Sequence, residues 1–501
     1  MIVEAYLDGQ FRSLLKGREW TDLQPYRLNE PLCRWFEDIS LVQEAVSTAH
    51  DEFASFSSLA RSQRVELLKK LKLSFEKHET EFENLIVLES GKARWESRQE
   101  AKALSNKIQI TLDTLLPLVE QIEATGRTGK QEMKLLARGV CAVIGPFNFP
   151  LHLANGHIIP ALLAGNTVIF KTSEHSPLCA GLYARCFQEA GFPVGAFQML
   201  PGGAESGQCL VENTLVKGVF FTGSYQNGRR ITERLLKTRS DLATLAALEL
   251  GGKNACIIFE DADFDRAIGE SVLSAFATAG QRCSCASRLF IQESLLDKFR
   301  DAFLMATNKI RIGDPSDDKT FMGCMISPEA ADHFISKCQT ATSQGFVVHQ
   351  MSQRLDKNNC LVLPSVFESS KPDDDVQKPL LQEELFGPNT ILIPFEDQEH
   401  LVELHEASPY GLASAVFSRD ENKFNFLDQH LSVGLLNWNR TTVGASSALP
   451  FGGTKKSGNN WPAGLFSYFY CSYPRSYLKE SEAFSTADLP SPLQNIFGAV
   501  Q

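Results

Sequence analysis

Three residues of the chain have types and settings that suit the chemistry of an attacked carbonyl. Cys283 lies in TAGQRCSCASRL between a helical run and a β-branched run, where Arg282 and a helix end can favour the thiolate nucleophile. Glu249 lies 34 residues earlier in LAALELGGKN, and apolar neighbours raise the pKa of a carboxyl toward the range of a general base. Asn148 lies between two phenylalanines in GPFNFP, so a rigid turn can aim its amide N–H at an oxyanion.

Each of these residues also has a simpler explanation. Free cysteines are among the most buried residue types, so Cys283 can be inert. Glu249 can end a strand at the surface, and Asn148 can cap the helix that follows. Cys285 could join Cys283 as a metal ligand, but no Cys or His follows nearby to complete four ligands, so we predict no metal site. The combination of thiol, carboxyl and amide favours the catalytic interpretation.

The elements that must position these residues alternate between strand and helix. From Gly139 the runs VCAVIG, TVIFK, FQMLPG, GVFFTG and LAALELGG are separated by helical stretches, and NACIIFE, SRLFIQ, TILIPFE, ASAVFSRD and VGLLNWN follow. Residues 51–116 show helical periodicity, with Gly91 as a helix stop. Strands alternating with helices predict parallel sheets.

Polar residues and glycines follow two of these strands, at the end where dinucleotides bind in such sheets. Lys171 ends TVIFK, and Glu174 comes three residues later. GVFFTG runs into GSYQNG, where Gly223 and Gly228 flank a predicted helix N-terminus that can face a pyrophosphate. The pattern is not G-x-G-x-x-G, and a plain strand-to-helix turn also explains it.

Length and composition exclude several classes of protein. A chain of 501 residues predicts two or three domains. The net charge of −11, from 49 basic and 60 acidic side chains, argues against a nucleic-acid partner. Twelve sparse cysteines predict reduced thiols and a cytoplasmic protein. The apolar stretch 151–170 is interrupted by polar residues, Gly and Pro, so we expect a buried helix and strand, not a membrane span.

Seven motifs, taken in order, resemble the aldehyde dehydrogenase family. They are GPFNFP, IFKTSEHSP, FTGSYQNG, LELGGKN, GQRCSC, EELFGP and LPFGGTKKSGN. The resemblance implies an α/β fold with two Rossmann-type parallel-sheet domains and a small β extension for oligomerisation. The expected NAD-binding domain is 1–116 and 139–250, the catalytic domain is 251–435, and the oligomerisation extension is 117–138 with 459–501.

The same resemblance implies a role for each matching residue. Cys283 would attack the aldehyde, Asn148 and the Cys283 N–H would hold the oxyanion, and Glu249 would activate water. The cofactor would be NAD, because a carboxylate at Glu174 accepts ribose hydroxyls and repels a 2′-phosphate. The expected contacts are pyrophosphate with Gly223, Ser224, Tyr225, Gln226, Asn227 and Gly228, adenosine ribose with Lys171 and Glu174, and nicotinamide ribose and ring with Glu384 and Phe386.

Less common stretches, such as SGKARWES and NWNRTTVGASSALPFGGTKKSGN, resemble a bacterial branch that oxidises a succinylated glutamate semialdehyde in arginine catabolism. For this anionic substrate Arg440 and Ser447 are the candidate ligands, although Arg440 can equally brace a subunit interface. Tyr225, Gln226 and the basic loop at 454–456 depart from the branch.

Three other functions stay open: oxidation of another semialdehyde such as succinate semialdehyde, transfer of the acyl group to coenzyme A, and a catalytically silent protein of the same fold. A homodimer or homotetramer is expected, with no membrane partner.

Overall fold

Strands and helices alternate along the chain in the computed structural model, which describes residues 2–13, 16–127, 131–239, 244–480 and 485–498. The strands are β1 (Glu4–Leu7), β2 (Gln10–Ser13), β3 (Arg18–Gln24), β4 (Arg27–Glu37), β5 (Gln131–Ala137), β6 (Val140–Ile144), β7 (Thr167–Lys171), β8 (Phe197–Leu200), β9 (Val216–Thr222), β10 (Leu245–Glu249), β11 (Asn254–Ile258), β12 (Ala286–Gln292), β13 (Val347–Gln350), β14 (Ser365–Glu368), β15 (Asn389–Phe395), β16 (Tyr410–Gly411), β17 (Ala413–Phe417), β18 (Leu435–Trp438), β19 (Pro450–Phe451), β20 (Thr454–Lys455), β21 (Ala463–Gly464) and β22 (Ser472–Leu478).

The helices cover both ends and both faces of the sheets. They are α1 (Ser40–Ser58), α2 (Arg61–Lys77), α3 (Glu79–Ser90), α4 (Arg94–Ile110), α5 (Leu116–Thr125), α6 (His152–Ala164), α7 (Pro177–Ala190), α8 (Ala204–Glu212), α9 (Tyr225–Thr238), α10 (Phe264–Phe276), α11 (Leu296–Asn308), α12 (Pro328–Ser343), α13 (Pro372–Asp375), α14 (Pro379–Gln382), α15 (Gln398–Glu406), α16 (Glu421–His430), α17 (Ser467–Tyr470) and α18 (Ser491–Gly498). A π-helical turn at Thr111–Leu115 joins α4 to α5, and 3₁₀ turns lie at Ala277–Gly280, Glu293–Leu295 and Thr486–Asp488.

The first sheet has seven strands in the order β10-β9-β6-β7-β8-β1-β2. The strands from β10 to β8 are parallel, and β1 and β2 join antiparallel at one edge. Along β6, Cys141 and Val143 face a cluster with α2, α4, α6 and α7, whereas Ala142 and Ile144 face a cluster with α1, α8 and α9. Every residue of β6 is therefore buried, which explains its uninterrupted apolar sequence.

The second sheet also has seven strands, in the order β13-β14-β15-β12-β11-β17-β18. All neighbours are parallel except β13 and β14. Its strands share one large hydrophobic cluster with α10, α11, α12 and α15. The two parallel sheets confirm the predicted α/β class. Strand β18 begins at Leu435, the last residue of the predicted catalytic domain, and continues to Trp438.

The predicted helical layer contains α1 to α5, and its helix stop lies where expected. Gly91 follows α3 with φ +67°, the left-handed conformation that favours glycine. A Cβ at this position would lie 2.7 Å from the Cys324 Cβ, so the close approach of two segments also requires glycine. Strands β1 to β4, which precede this layer, were not predicted.

A two-stranded antiparallel sheet joins the two segments of the predicted oligomerisation extension. β22 pairs with β5 from Ser472 opposite Ala137 to Leu478 opposite Gln131. The role of this sheet in oligomerisation stays a prediction, and residues 128–130, 481–484 and 499–501 of the extension lie outside the described residues. Among the described helices, none combines the length and apolar character needed to cross a membrane.

Candidate active site

Cys283 lies on the connection between α10 and β12, in a segment of unusual backbone. Thr278, Ala279 and Gly280 have φ values of 54°, 50° and 69°, so three successive residues are left-handed. Such a backbone is costly for the first two residues and indicates a functional segment that its surroundings hold in place. The Cys283 carbonyl accepts a hydrogen bond of 2.6 Å from the Asn254 amide, which anchors the segment to β11.

The Cys283 thiol is partly buried and protonated at rest. Burial raises its pKa, and the carboxyl groups of Glu384 and Glu249 raise it further, whereas Arg282 lowers it. The thiolate must therefore be generated during the reaction. Two adjacent glycines lie between these residues: a Cβ at Gly252 would lie 2.4 Å from the Cys283 carbonyl oxygen, and one at Gly251 would lie 2.0 Å from the Glu384 carboxylate.

Glu249 ends β10 with its side chain buried, so the surface alternative is wrong. Its Oε1 accepts a 3.2 Å hydrogen bond from the N–H of Ala463. Its Oε2 is buried and has no hydrogen-bond partner among the described residues. Burial raises the pKa well above the ordinary value, and the Ala463 N–H offsets only part of that effect. A carboxyl group in this setting is a strong base once it is ionised.

Asn148 lies in the turn between β6 and α6 and reaches the loop of the nucleophile. Its Nδ2 donates a 2.8 Å hydrogen bond to the carbonyl of Gln281, two residues before Cys283. Helix α6 begins at His152 with no side-chain cap, so the alternative of a capping asparagine is wrong. The amide has a second N–H, which makes no hydrogen bond to another described residue.

Glu384 and Phe386 close the same region from the loop before β15. Glu384 Oε1 accepts a 2.8 Å hydrogen bond from the Gly252 N–H. Burial raises the pKa of Glu384 to about 7, against the effects of that N–H and of Lys253. Phe386 is left-handed, with φ 51°, and its ring meets the Phe147 ring edge-on at 5.7 Å. A cleft lies here, lined in part by Gly252, Gly280, Arg282, Cys285, Glu384 and Phe386.

The segment 223–228 lies where β9 ends and α9 begins, as predicted for a pyrophosphate site. Ser224 caps α9, since its side chain accepts from the Asn227 N–H at 3.3 Å. A Cβ at Gly223 would lie 2.4 Å from the Phe221 ring, and one at Gly228 would lie 2.7 Å from Leu250. These glycines therefore allow close packing where the strand passes into the helix, and the Gly223 N–H donates a 3.0 Å hydrogen bond to the carbonyl of Glu249. Tyr225 is half-buried beneath the Lys456 ammonium at 5.3 Å, and Gln226 is exposed.

Lys171 and Glu174 lie at the C-terminal end of β7. The Lys171 ammonium is buried and donates to the carbonyls of Gly202 and Gly203, at 2.6 and 3.3 Å. Burial lowers its pKa, against the effects of Glu174 and Glu37. Glu174 is partly exposed, and its carboxylate makes no hydrogen bond within the described part of the chain. A carboxylate that is free to accept ribose hydroxyls is what a dinucleotide site needs.

The predicted substrate ligands, Arg440 and Ser447, make no described contact with the other residues of the site. Arg440 is exposed in the loop after β18, and Ser447 is partly buried. The start of this loop lies beside the nucleophile segment, since Thr441 shares a 2.8 Å hydrogen bond with Ser274 and Val443 packs on Cys285. The structure therefore brings the loop to the site but shows no contact that assigns Arg440 to it.

Sequence reasoning missed several buried charges around this site. Lys253 is buried, and its ammonium has no partner among the described residues. Burial lowers its pKa to about 7. Lys92, Glu96 and Glu100 lie on the other side of the nucleophile segment and are also buried. The i, i+4 spacing of the two glutamates places them on one helix face, but only packing reveals that this face is internal.

A partly buried thiol, a buried carboxyl group and a buried amide lie near the ends of strands in two parallel sheets, an arrangement that suits cysteine chemistry on a carbonyl. The chain belongs to the aldehyde dehydrogenase family, whose model matches residues 22–473. This match confirms the predicted family and enzyme class, an NAD-dependent aldehyde dehydrogenase.

Named relatives and solved structures agree with this family. The chain is 35% identical to N-succinylglutamate 5-semialdehyde dehydrogenase of Erwinia tasmaniensis, over 90% of each chain. It is 33% identical to the enzyme of that name from Legionella pneumophila, over 92% of this chain and 90% of the relative. Betaine aldehyde dehydrogenase of Staphylococcus aureus in complex with NAD⁺ superposes with a TM-score of 0.88 at 27% identity, covering 97% of this chain and 96% of the other.

Proposed function

We propose that the chain oxidises N-succinyl-L-glutamate 5-semialdehyde to N-succinyl-L-glutamate with NAD, in arginine catabolism by the succinyltransferase pathway. The observation that carries this proposal is the similarity, over nine-tenths of each chain, to a relative that bears this activity in its name. Cys283, Glu249 and Asn148 would supply the chemistry, and the Asn148 amide reaches the loop of Cys283 through its hydrogen bond to the Gln281 carbonyl.

The chain's own residues divide the reaction into two halves. In the first, the Cys283 thiol loses its proton to solvent, its sulfur forms a bond to the aldehyde carbon, and the carbonyl oxygen becomes an oxyanion. The Asn148 amide and the Cys283 N–H donate hydrogen bonds to it. Bound NAD supplies the acceptor for the hydride that leaves this carbon. The carbon then becomes the carbonyl of a thioester on Cys283.

In the second half, Glu249 accepts a proton from a water molecule whose oxygen bonds to the thioester carbon. The bond from this carbon to sulfur then breaks and the proton held by Glu249 passes to the sulfur, which releases the carboxylic acid and restores the Cys283 thiol and the Glu249 carboxylate. Glu249 is buried within the same site and has one oxygen without a partner among the described residues, so it can hold the water. A coenzyme A acceptor would need no such base, and this favours hydrolysis.

The residues present fit the cofactor. Gly223 and Gly228 allow close packing against Phe221 and Leu250 at the start of α9, and the first N–H groups of this helix would face the pyrophosphate. The free carboxylate of Glu174 would accept the adenosine ribose hydroxyls and would repel a 2′-phosphate, which favours NAD over NADP. Glu384 and Phe386 would contact the nicotinamide ribose and ring.

For the substrate we propose that Arg440 and Ser447 bind its carboxylates. Arg440 is exposed and forms no ion pair with a described residue, so its guanidinium is available to an incoming anion. Arg440→Ala should raise KM for the succinylated aldehyde by about tenfold, as expected for a lost charge-assisted hydrogen bond. Arg266→Ala, at an exposed arginine of α10, is the matched control. An unchanged KM in Arg440→Ala would remove Arg440 from the site.

The function itself is tested by reduced-cofactor formation with NAD or NADP. Succinylglutamate semialdehyde, succinate semialdehyde and glutamate semialdehyde are compared at matched concentrations. The highest kcat/KM is expected for the succinylated aldehyde with NAD. A higher kcat/KM for another aldehyde would leave the proposed mechanism in place and reject the proposed substrate. If no aldehyde reacted, a catalytically silent protein would be favoured.

We also propose a homodimer or homotetramer in the cytoplasm. The twelve cysteines are all unpaired, which suits a reducing compartment.

Leu478 of β22 is 83% exposed, and burial of such an apolar side chain favours association of the two-stranded sheet. Light scattering on Leu478→Glu beside the wild type tests this role, and an unchanged mass would reject it.

A further inference from the structure

Helix α4 places two buried carboxylates against two separate loops of the site. Glu96 and Glu100 are 1% and 2% exposed. They are one helical turn apart, a rise of about 6 Å over four residues. Neither residue contacts the cleft through a described hydrogen bond to Cys283 or Asn148, so the proposed mechanism does not use them.

Glu96 holds the segment that precedes the nucleophile. Its Oε1 accepts hydrogen bonds from the Thr278 hydroxyl at 2.6 Å and from Arg282 Nη2 at 2.5 Å. Arg282 Nε also donates to the Thr278 hydroxyl at 2.8 Å. Thr278 is left-handed, with φ 54°, a conformation that persists only when its surroundings impose it. Glu96 thus fixes the first residue of the left-handed turn and the arginine that directly precedes Cys283.

Glu100 holds the turn that carries Asn148. Its Oε1 accepts from the N–H groups of Leu151 and His152, at 3.2 and 3.1 Å. Its Oε2 accepts from the Lys92 ammonium at 2.6 Å. Both side chains are buried, so each charge requires the other.

One aromatic ring lies between the Lys92–Glu100 pair and the Arg282–Glu96 pair. Phe149 directly follows Asn148, and the Lys92 ammonium lies 3.6 Å from its centroid. The Arg282 guanidinium lies 5.0 Å from the same centroid. Both cations therefore contact one ring, while their carboxylate partners are fixed on one helix.

We propose that Glu96 and Glu100 are positioning residues that set the distance between the Cys283 sulfur and the oxyanion donor of Asn148. This inference rests on the proposed roles of Cys283 and Asn148. The two loops that carry Cys283 and Asn148 are far apart in the sequence. Glu96 and Glu100, which hold these loops, lie on the same rigid helix α4. Aldehyde oxidation requires the Cys283 sulfur and the Asn148 amide to lie at the correct distance from each other. Alkylation of the thiol by iodoacetamide needs only the thiol.

The test separates these two requirements. Glu96→Gln and Glu100→Gln should each lower kcat/KM for the aldehyde by about tenfold to a hundredfold, because misplacement by about 1 Å has costs of that order. The rate of Cys283 alkylation should stay within about threefold of the wild type, as should KM for NAD. Glu83→Gln is the matched control, since Glu83 pairs with Arg94 and Arg98 of α4 outside the site. Its activity should be unchanged.

Thr278→Val removes one hydroxyl and no charge, and it keeps the test valid if a glutamine variant does not fold. It should lower kcat/KM in the same selective way. Equal loss of activity and alkylation, or normal kcat per titrated site with a lower melting temperature, would overturn the inference. Failure of the proposed roles appears separately, as retained activity in Cys283→Ser or no alkylation of wild-type Cys283.

Discussion

Glu249→Gln separates the two halves of the proposed reaction. Glutamine has nearly the same shape and retains the Oε1 that accepts from the Ala463 N–H at 3.2 Å. The site should therefore keep its geometry and lose only the base. Attack by Cys283 and hydride loss do not use Glu249, so the thioester should form at a rate close to that of the wild type. Hydrolysis should slow by about 10²- to 10⁴-fold, the usual contribution of a general base.

The same substitution changes how stability depends on pH. Because burial raises the pKa of Glu249 in the folded protein, the folded state keeps this proton at pH values where the unfolded chain has lost it. The wild-type free energy of unfolding should therefore fall as pH rises above about 4.3, the ordinary value for glutamate, until the folded-state pKa is passed. The slope from this group is at most about 1.4 kcal/mol per pH unit. The glutamine of the variant carries no proton to lose, so the variant should gain stability relative to the wild type as pH rises through this range.

Rapid mixing with saturating aldehyde and NAD measures the catalytic part. The variant should give a burst of reduced cofactor near one equivalent per active site, followed by a slow steady state. Urea unfolding at several pH values measures the stability part. A steady-state rate equal to that of the wild type would refute the role of Glu249 as base, and loss of the burst together with the steady state would place Glu249 in the first half instead.

Three further predictions concern the thiol, the cofactor and the backbone. The rate of alkylation of Cys283 by iodoacetamide should rise about tenfold per pH unit from about pH 7 to 9, because its pKa is raised and only the thiolate reacts; a plateau below about pH 8 would contradict this. Glu174→Gln should raise the ratio of kcat/KM for NADP to that for NAD by at least about tenfold through lost repulsion, and an unchanged ratio would remove Glu174 from the ribose site. Gly280→Ala should lower the free energy of unfolding by about 2 kcal/mol or more, since φ is +69° and its Cβ would lie 2.2 Å from the Gly387 carbonyl oxygen. Gly269→Ala, in open space on α10, is the control, and urea unfolding should show a gain of about 1 kcal/mol.

The sequence predicted those elements whose burial leaves a simple pattern. β6 and β7 are buried on both faces, so their apolar runs stand out. The helix stop at Gly91 follows from a conformation that other residues adopt with difficulty. Cys283 and Glu249 were found because each lies beside the end of a strand, where the chain leaves or enters the sheet.

Other features depend on packing between distant segments and leave little local pattern. β3 and β4 pair only with each other among the described strands, and most of their residues are partly or fully exposed, so no long apolar run marks them. The contacts of Glu100 join residues 51 and 52 positions away. A surface ion-paired helix would carry the same i, i+4 spacing, so burial of Glu96 and Glu100 required the fold.

The charges within the site give an order to the proposed reaction. The negative charge of Glu249 raises the pKa of Cys283, and coupled groups affect each other equally. The two groups therefore do not readily ionise together. Once the sulfur is bound in a thioester it carries no charge, and this obstacle to ionisation of Glu249 is removed. The carboxylate that accepts the proton of water thus forms most readily after the thioester, which is the stage at which water must be activated. Burial is the main cause of the raised pKa of Glu249, and no described cation offsets it, so a lysine placed beside Glu249 would stabilise its carboxylate and weaken this order.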